Sequence, residues 1–164
     1  MAVALAGGAL VLSGCLYSFS GGGGLPSHVE TMYVPPVENE TTRFALTDRV
    51  TQGLLEAVRG RLGAQVAGEQ GADAVIEVTL TNFIDEAMSF EGREGEGAEV
   101  FQRRVTISAS AEIYDRVNER PIWSSSGLRA TGEYAPEEES QDAAIDLAIE
   151  NLIQNIVDGA QSQW

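Results

Sequence analysis

The chain of 164 residues carries 25 acidic side chains against 10 basic ones, every one of them arginine, for a formal net charge of −15. That sign excludes nucleic acid as a partner, because such binding rests on cationic side chains that neutralise phosphates, and it opposes long-range attraction to an anionic membrane surface. A single cysteine and a single histidine exclude an internal disulfide framework and leave zinc or thiol catalysis without a ligand set, so no metal and no cofactor is expected.

At the N-terminus, Val3 to Leu12 is an apolar run of signal-peptide length, too short to cross a bilayer. It runs into Leu12-Ser13-Gly14-Cys15, which resembles a bacterial lipobox: small residues admit a peptidase to the backbone and the thiol is acylated before cleavage. Residues 1–14 then read as a signal peptide and Cys15 as the lipid-bearing first residue of the mature chain. Each buried methylene contributes about 0.8 kcal/mol, so two or three acyl chains hold a protein stably where one holds it marginally. Met1-Ala2-Val3 lacks the usual Lys or Arg, which leaves a start upstream of Met1 open. Leu16 stands where an inner-membrane retention signal would place Asp, which points to the outer membrane, facing the periplasm.

Residues 15–28, with the run Gly21 to Gly24, read as a flexible tether, and residues 29–164 as one α/β domain. Val29 to Val34 is the first strand, stopped by Pro35-Pro36. Leu46, Val50, Leu54, Val58 and Leu62 recur every four residues as one face of a helix, with Thr42 or Thr47 as its cap and Gly63 closing it. Three strands follow. The first puts Ala74, Ile76, Val78, Leu80 and Ile84 on the covered face. The second does the same with Phe101, Val105, Ile107, Ala109, Ala111 and Ile113, leaving Thr106, Ser108, Ser110, Glu112 and Tyr114 open, and the third spans Ile122 to Tyr134. A last helix begins after Pro136, buries Ile145, Ala148, Ile149, Leu152 and Ile156, and ends at Gly159. The expected fold is an α+β sandwich of the α/β class, with two helices packed on one face of a four-stranded mixed sheet in the order β-α-β-β-β-α.

The lipobox, Tyr17-x-Phe19, the glycine run, Leu25-Pro26, the strand ending Val34-Pro35-Pro36 and then Glu38-Asn39-x-Thr41-Thr42 together resemble the N-terminal signature of the LptE-like lipopolysaccharide-assembly lipoproteins. Ala72-Asp73-Ala74-Val75-Ile76-Glu77 and Trp123-Ser124 also fall where that family has comparable elements, so the resemblance spans most of the mature chain. It implies a lipoprotein that plugs the LptD barrel translocon, supports its assembly and helps deliver lipopolysaccharide to the outer leaflet. Two departures stand out. The residue after the cysteine is Leu16, where the family has Gly. The chain also has no lysine, and its longest inter-strand loop, Glu91-Gly92-Arg93-Glu94-Gly95-Glu96, is acidic and repels lipid A phosphates unless divalent cations bridge them. The remaining cations near the sheet, Arg93, Arg103, Arg104 and Arg129, carry guanidinium groups that suit phosphates through paired hydrogen bonds, although a solvated or ion-paired side chain is the more ordinary reading of each.

No catalytic residue is expected. His28, the single histidine, sits at the exit of the tether where nothing nearby suggests burial, which argues against a Ser/His/Asp triad, and Asp85-Glu86 reads as a solvated strand end rather than an acid/base pair. Glu94, Glu96 and Glu99 lack the Asp/Asn-Gly pattern of calcium loops. The alternative function is a lipoprotein that regulates a peptidoglycan synthase or forms part of a secretion channel. The anchor is directly testable: a clickable palmitate analogue is expected to label the wild-type protein in cells and to leave Cys15→Ala dark, and equal labelling of both would exclude lipidation at this residue.

Overall fold

Two helices cover one face of a mixed sheet in the computed structural model, which describes residues 25–91, 99–136 and 140–162. The elements in chain order are β1 (Thr31–Tyr33), β2 (Glu38–Asn39), α1 (Leu46–Gly60), β3 (Gln65–Val66), a short 3-10 turn, β4 (Ala74–Glu91), β5 (Glu99–Asp115), β6 (Arg120–Tyr134) and α2 (Gln141–Gln161). The sheet therefore has six strands where the sequence suggested four. The two additions, β2 and β3, are two residues long, too short for any periodicity to register. The order is β3-β1-β4-β5-β6, with β2 also on β4. Pairs involving β1, β2 and β3 are parallel, whereas β4–β5 and β5–β6 are antiparallel, the mixture expected from a helical crossover followed by short turns.

The core lies between the helices and the lower half of the sheet. Met32, Ala74, Ile76, Val78 and Leu80 meet Val105, Ile107, Ala109, Ala111 and Ile113 on the inner face, and α1 closes it with Leu46, Val50, Leu54, Ala57 and Val58. Helix α2 contributes Ile145, Ala148, Ile149, Leu152 and Ile156 as its period suggests, and also Ala144, Ile153, Val157 and Ala160. The alternation in β4 breaks at a bulge between Leu80 and Asn82. One extra residue inverts every side chain beyond it, so Ile84, expected inside, is 41% exposed, and Phe83 is packed against the core instead.

Helix ends differ from expectation for identifiable reasons. The residue before α1 is Ala45, with no side-chain cap, so neither Thr42 nor Thr47 caps it. A local network shapes the approach instead: Asn39 Oδ1 accepts from the Thr41 backbone N–H at 2.9 Å and its hydroxyl at 2.7 Å, and Thr41 Oγ1 accepts from Arg43 N–H at 3.1 Å. Gly63 does leave the helix, at φ 71°. At α2, Ser140 Oγ caps by accepting from Ala143 N–H at 3.2 Å. Gly159 does not end this helix, which runs on to Gln161; it is the seat of the Trp123 ring, and a Cβ there would run into the indole.

Two glycines on the covered side behave oppositely. Gly132 of β6 lies so close to α2 that a Cβ would overlap the Ala144 carbonyl, whereas a Cβ at Gly60 would meet nothing within 4 Å. The free edge of β6 is covered from α2 by side-chain amides, Asn151 Nδ2 donating to Thr131 O at 2.9 Å and Asn155 Nδ2 to Arg129 O at 3.3 Å. In urea melts, Gly132→Ala is expected to lose about 1–3 kcal/mol by overpacking against backbone. Gly60→Ala is expected to gain about 0.5 kcal/mol by restricting the unfolded chain.

Candidate functional site

The β4–β5 ladder divides the molecule into a lower end, where residues 25–31 and the end of α2 arrive, and an upper hairpin. At the lower end Asp115 is fully buried, yet every lone pair is used. Its Oδ1 accepts backbone N–H groups of Val117 and Asn118 at 3.0 Å each, and its Oδ2 accepts Asn118 Nδ2 at 2.9 Å and His28 Nε2 at 2.7 Å. Since a carboxylate only accepts, the proton of this pair sits on His28 Nε2. Burial alone pushes the Asp115 carboxyl up; donors from Asn118 and His28 outweigh it and bring it down to about 2. Beside it Asp73 Oδ2 takes the Thr31 hydroxyl at 2.8 Å and the backbone N–H groups of Thr31 and Glu30 at 2.9 and 3.0 Å, and these bonds lower its carboxyl as well. Together the two carboxylates clasp the incoming N-terminal segment. Sequence reasoning missed His28 here, because its partner lies 87 residues away.

The upper end holds a second polar cluster on the covered face. Arg103 Nε donates to Asp85 Oδ1 at 2.9 Å, Tyr134 Oη to Asp85 Oδ2 at 3.0 Å, and Gln141 Nε2 donates to the same oxygen. Burial raises the Asp85 carboxyl, but the bonds from Arg103, Tyr134 and Gln141 prevail and hold it below the usual carboxylate range; burial and Asp85 push the Tyr134 phenol up. Asp85 is thus a half-buried joint between the hairpin, β6 and α2, and not the solvated strand end expected. It presents no free acid or base.

The three described arginines, Arg103, Arg104 and Arg129, are not brought together. Arg103 points to the covered face and is held by Asp85; Arg104 lies on the open face with its Nε 2.9 Å from Glu133 Oε1. Arg129 is exposed on the open face opposite Ser108 and makes no ion pair among the described residues. Arg93 lies outside the described residues, as do Cys15 and the acidic loop around Glu94 and Glu96.

The open face itself is polar. Thr79, Ser110, Ser124 and Ser126, with Glu77 and Glu112 directly opposite one another, line a shallow trough of about 450 Å³, and Ile84 and Met88 are exposed on the hairpin above it. No group of three or more His, Cys, Asp or Glu that could hold a metal ion occurs among the described residues, and no hydroxyl bonds to the His28 ring there. No described helix is long and apolar enough to cross a membrane.

The carboxylate clasp sets an acid limit. Asp115 titrates at about 2 when folded against an ordinary value of 3.8, so its contribution to stability is complete above about pH 4 and is lost as pH falls towards 2; Asp73 and Asp85 act with the same sign. Thermal midpoints measured from pH 6 to pH 2 are expected to drop in that window, and Asp115→Asn is expected to lower the midpoint at pH 7 while flattening the acid slope.

Solved structures with this fold are distant in sequence. A PelC dodecamer from Paraburkholderia phytofirmans is 14% identical, covering 85% of this chain and 93% of that one, with a TM-score of 0.52. An uncharacterized lipoprotein B from Nitrosomonas europaea is also 14% identical, covering 86% of each chain, again with a TM-score of 0.52. These likenesses establish the shared two-helix, mixed-sheet fold. No curated protein matches the chain. The lipopolysaccharide-assembly family LptE matches residues 29–159, nearly all of the folded part, and the chain belongs to that family.

Proposed function

We propose that the chain is an outer-membrane protein held by acyl chains on Cys15, with residues 1–14 removed, residues 15–28 as tether and residues 29–164 facing the periplasm. There it plugs an LptD-type barrel, supports that barrel's assembly and assists lipopolysaccharide delivery to the outer leaflet, with no chemistry of its own. The observation that carries this reading is membership of the lipopolysaccharide-assembly family across residues 29–159. The charge of −15 suits a plug in a basic lumen, and Asp85 and Asp115 are engaged in structure rather than poised for reaction. If lipopolysaccharide touches the protein directly, Arg129 is the best presented to its phosphates of the three described guanidinium groups near the sheet; Arg104 would first have to leave Glu133, and Arg103 is committed to the other face.

The test is affinity purification of the tagged, lipidated protein from detergent-solubilised outer membranes. An LptD-type barrel is expected in the eluate, in amounts that fall with added salt because exposed charges are screened beyond about 8 Å at physiological ionic strength. Deletion is expected to deplete the mature barrel and admit large hydrophobic antibiotics. Recovery of a peptidoglycan synthase or a secretion channel without the barrel would replace this reading with the alternative one.

A further inference from the structure

A groove of about 470 Å³ runs between α1 and α2, with Gly53, Ala57, Gly60, Ile149 and Ile153 along its floor. Gly53 has a reason within the fold, since Ile153 Cδ1 fills the space a Cβ would take; Gly60 has none, its φ being ordinary and its surroundings open. Asp146 and Arg61 line the two ends of the groove and are themselves bridged. Arg49 pairs with Asp142 and Asp146 above, and Arg61 Nη1 donates to Gln154 Oε1 at 2.8 Å below. Arg49 is thereby paired, while Arg61 meets a neutral amide and keeps its charge, so the lining sets Glu56, Asp146 and Glu150 against one guanidinium. The walls keep Glu56 and Glu150, both exposed, with no ion pair or hydrogen bond among the described residues.

We infer that this groove is the docking site for an arginine- or lysine-bearing segment of a protein partner, whose aliphatic stems lie on the Gly53–Gly60 floor while their charged heads meet Glu56 and Glu150. An apolar floor with a net acidic rim matches that side chain better than an anionic one: the methylenes lose water against Ala57, Ile149 and Ile153, and the head group stays at the rim beside Glu56 and Glu150, with Arg61 confined to one end. From Gly53 to Gly60 the floor is about 10 Å long, enough for about three residues of extended chain. The proposal rests on the plug reading only for the partner's identity, the barrel.

The test uses the full-length lipidated protein in cells, with a benzoylphenylalanine photocross-linker placed in turn at Glu56 and Gly60 in the groove and at Ser108 and Thr131 on the open sheet face. Adducts from the groove positions are expected to map to an Arg- or Lys-containing peptide of the barrel. Glu56→Gln combined with Glu150→Gln is expected to reduce the Gly60 adduct about three- to tenfold, the range for two exposed charge pairs, with the thermal midpoint of the protein unchanged. Barrel adducts from the sheet face alone would overturn the groove and leave the plug standing. Adducts from the groove to a basic segment of a different protein, sensitive to the same two substitutions, would uphold the groove and overturn the plug. No adduct from the groove, or one indifferent to both substitutions, would overturn the docking site.

Discussion

Two helices cannot cover the ladder that β4 and β5 build. Eighteen residues of β4 extend about 60 Å at strand rise, whereas the 21 residues of α2 span about 31 Å. The covered face must therefore be apolar below and become something else above. That change is made by one residue, the bulge after Leu80, which turns Ile84 outwards and brings Asp85 in. Arg103, Tyr134 and Gln141 then gather on that carboxylate at the level where α2 begins. A polar joint thus stands where the hydrophobic layer ends.

Much of this architecture is written in local periodicity. The covered faces of β4 up to Leu80, of β5 from Val105 to Ile113, and of both helices follow the periods of 2 and 3.6 because burial on one side selects them. What periodicity cannot register is a single inserted residue, and so Ile84 reads as core. Nor can it register strands of two residues, whose pairing on β1 and β4 comes from tertiary placement. Gly159 reads as a helix stop when its position is set by the bulk of Trp123, 36 residues earlier in the chain. Local signals speak for local geometry, and a glycine needed for a distant ring looks the same as one needed for a turn.

The polar sites were legible to a lesser degree for the same reason. Asp115 looks like a turn residue, which it is, since it binds the N–H groups of Val117 and Asn118. Its full burial depends on His28, and nothing in the sequence joins residues 28 and 115. The arginines show the converse: four cations near one sheet suggest a cradle, but alternation sends Arg103 and Arg104 to opposite faces and each meets an acid there. Family membership, carried by residues spread over most of the chain, is legible where single contacts are not.

The amides of Asn151 and Asn155 on the outer strand bear on how many copies can share one surface. A strand edge with free carbonyls is a template on which a second copy adds its own edge, and molecules confined to a plane would meet edge to edge at high local density. By donating to the Thr131 and Arg129 carbonyls, the two asparagines take up two of the acceptors such a contact would use. That shortens the stretch of β6 on which a second copy could pair, since both amides would first have to leave.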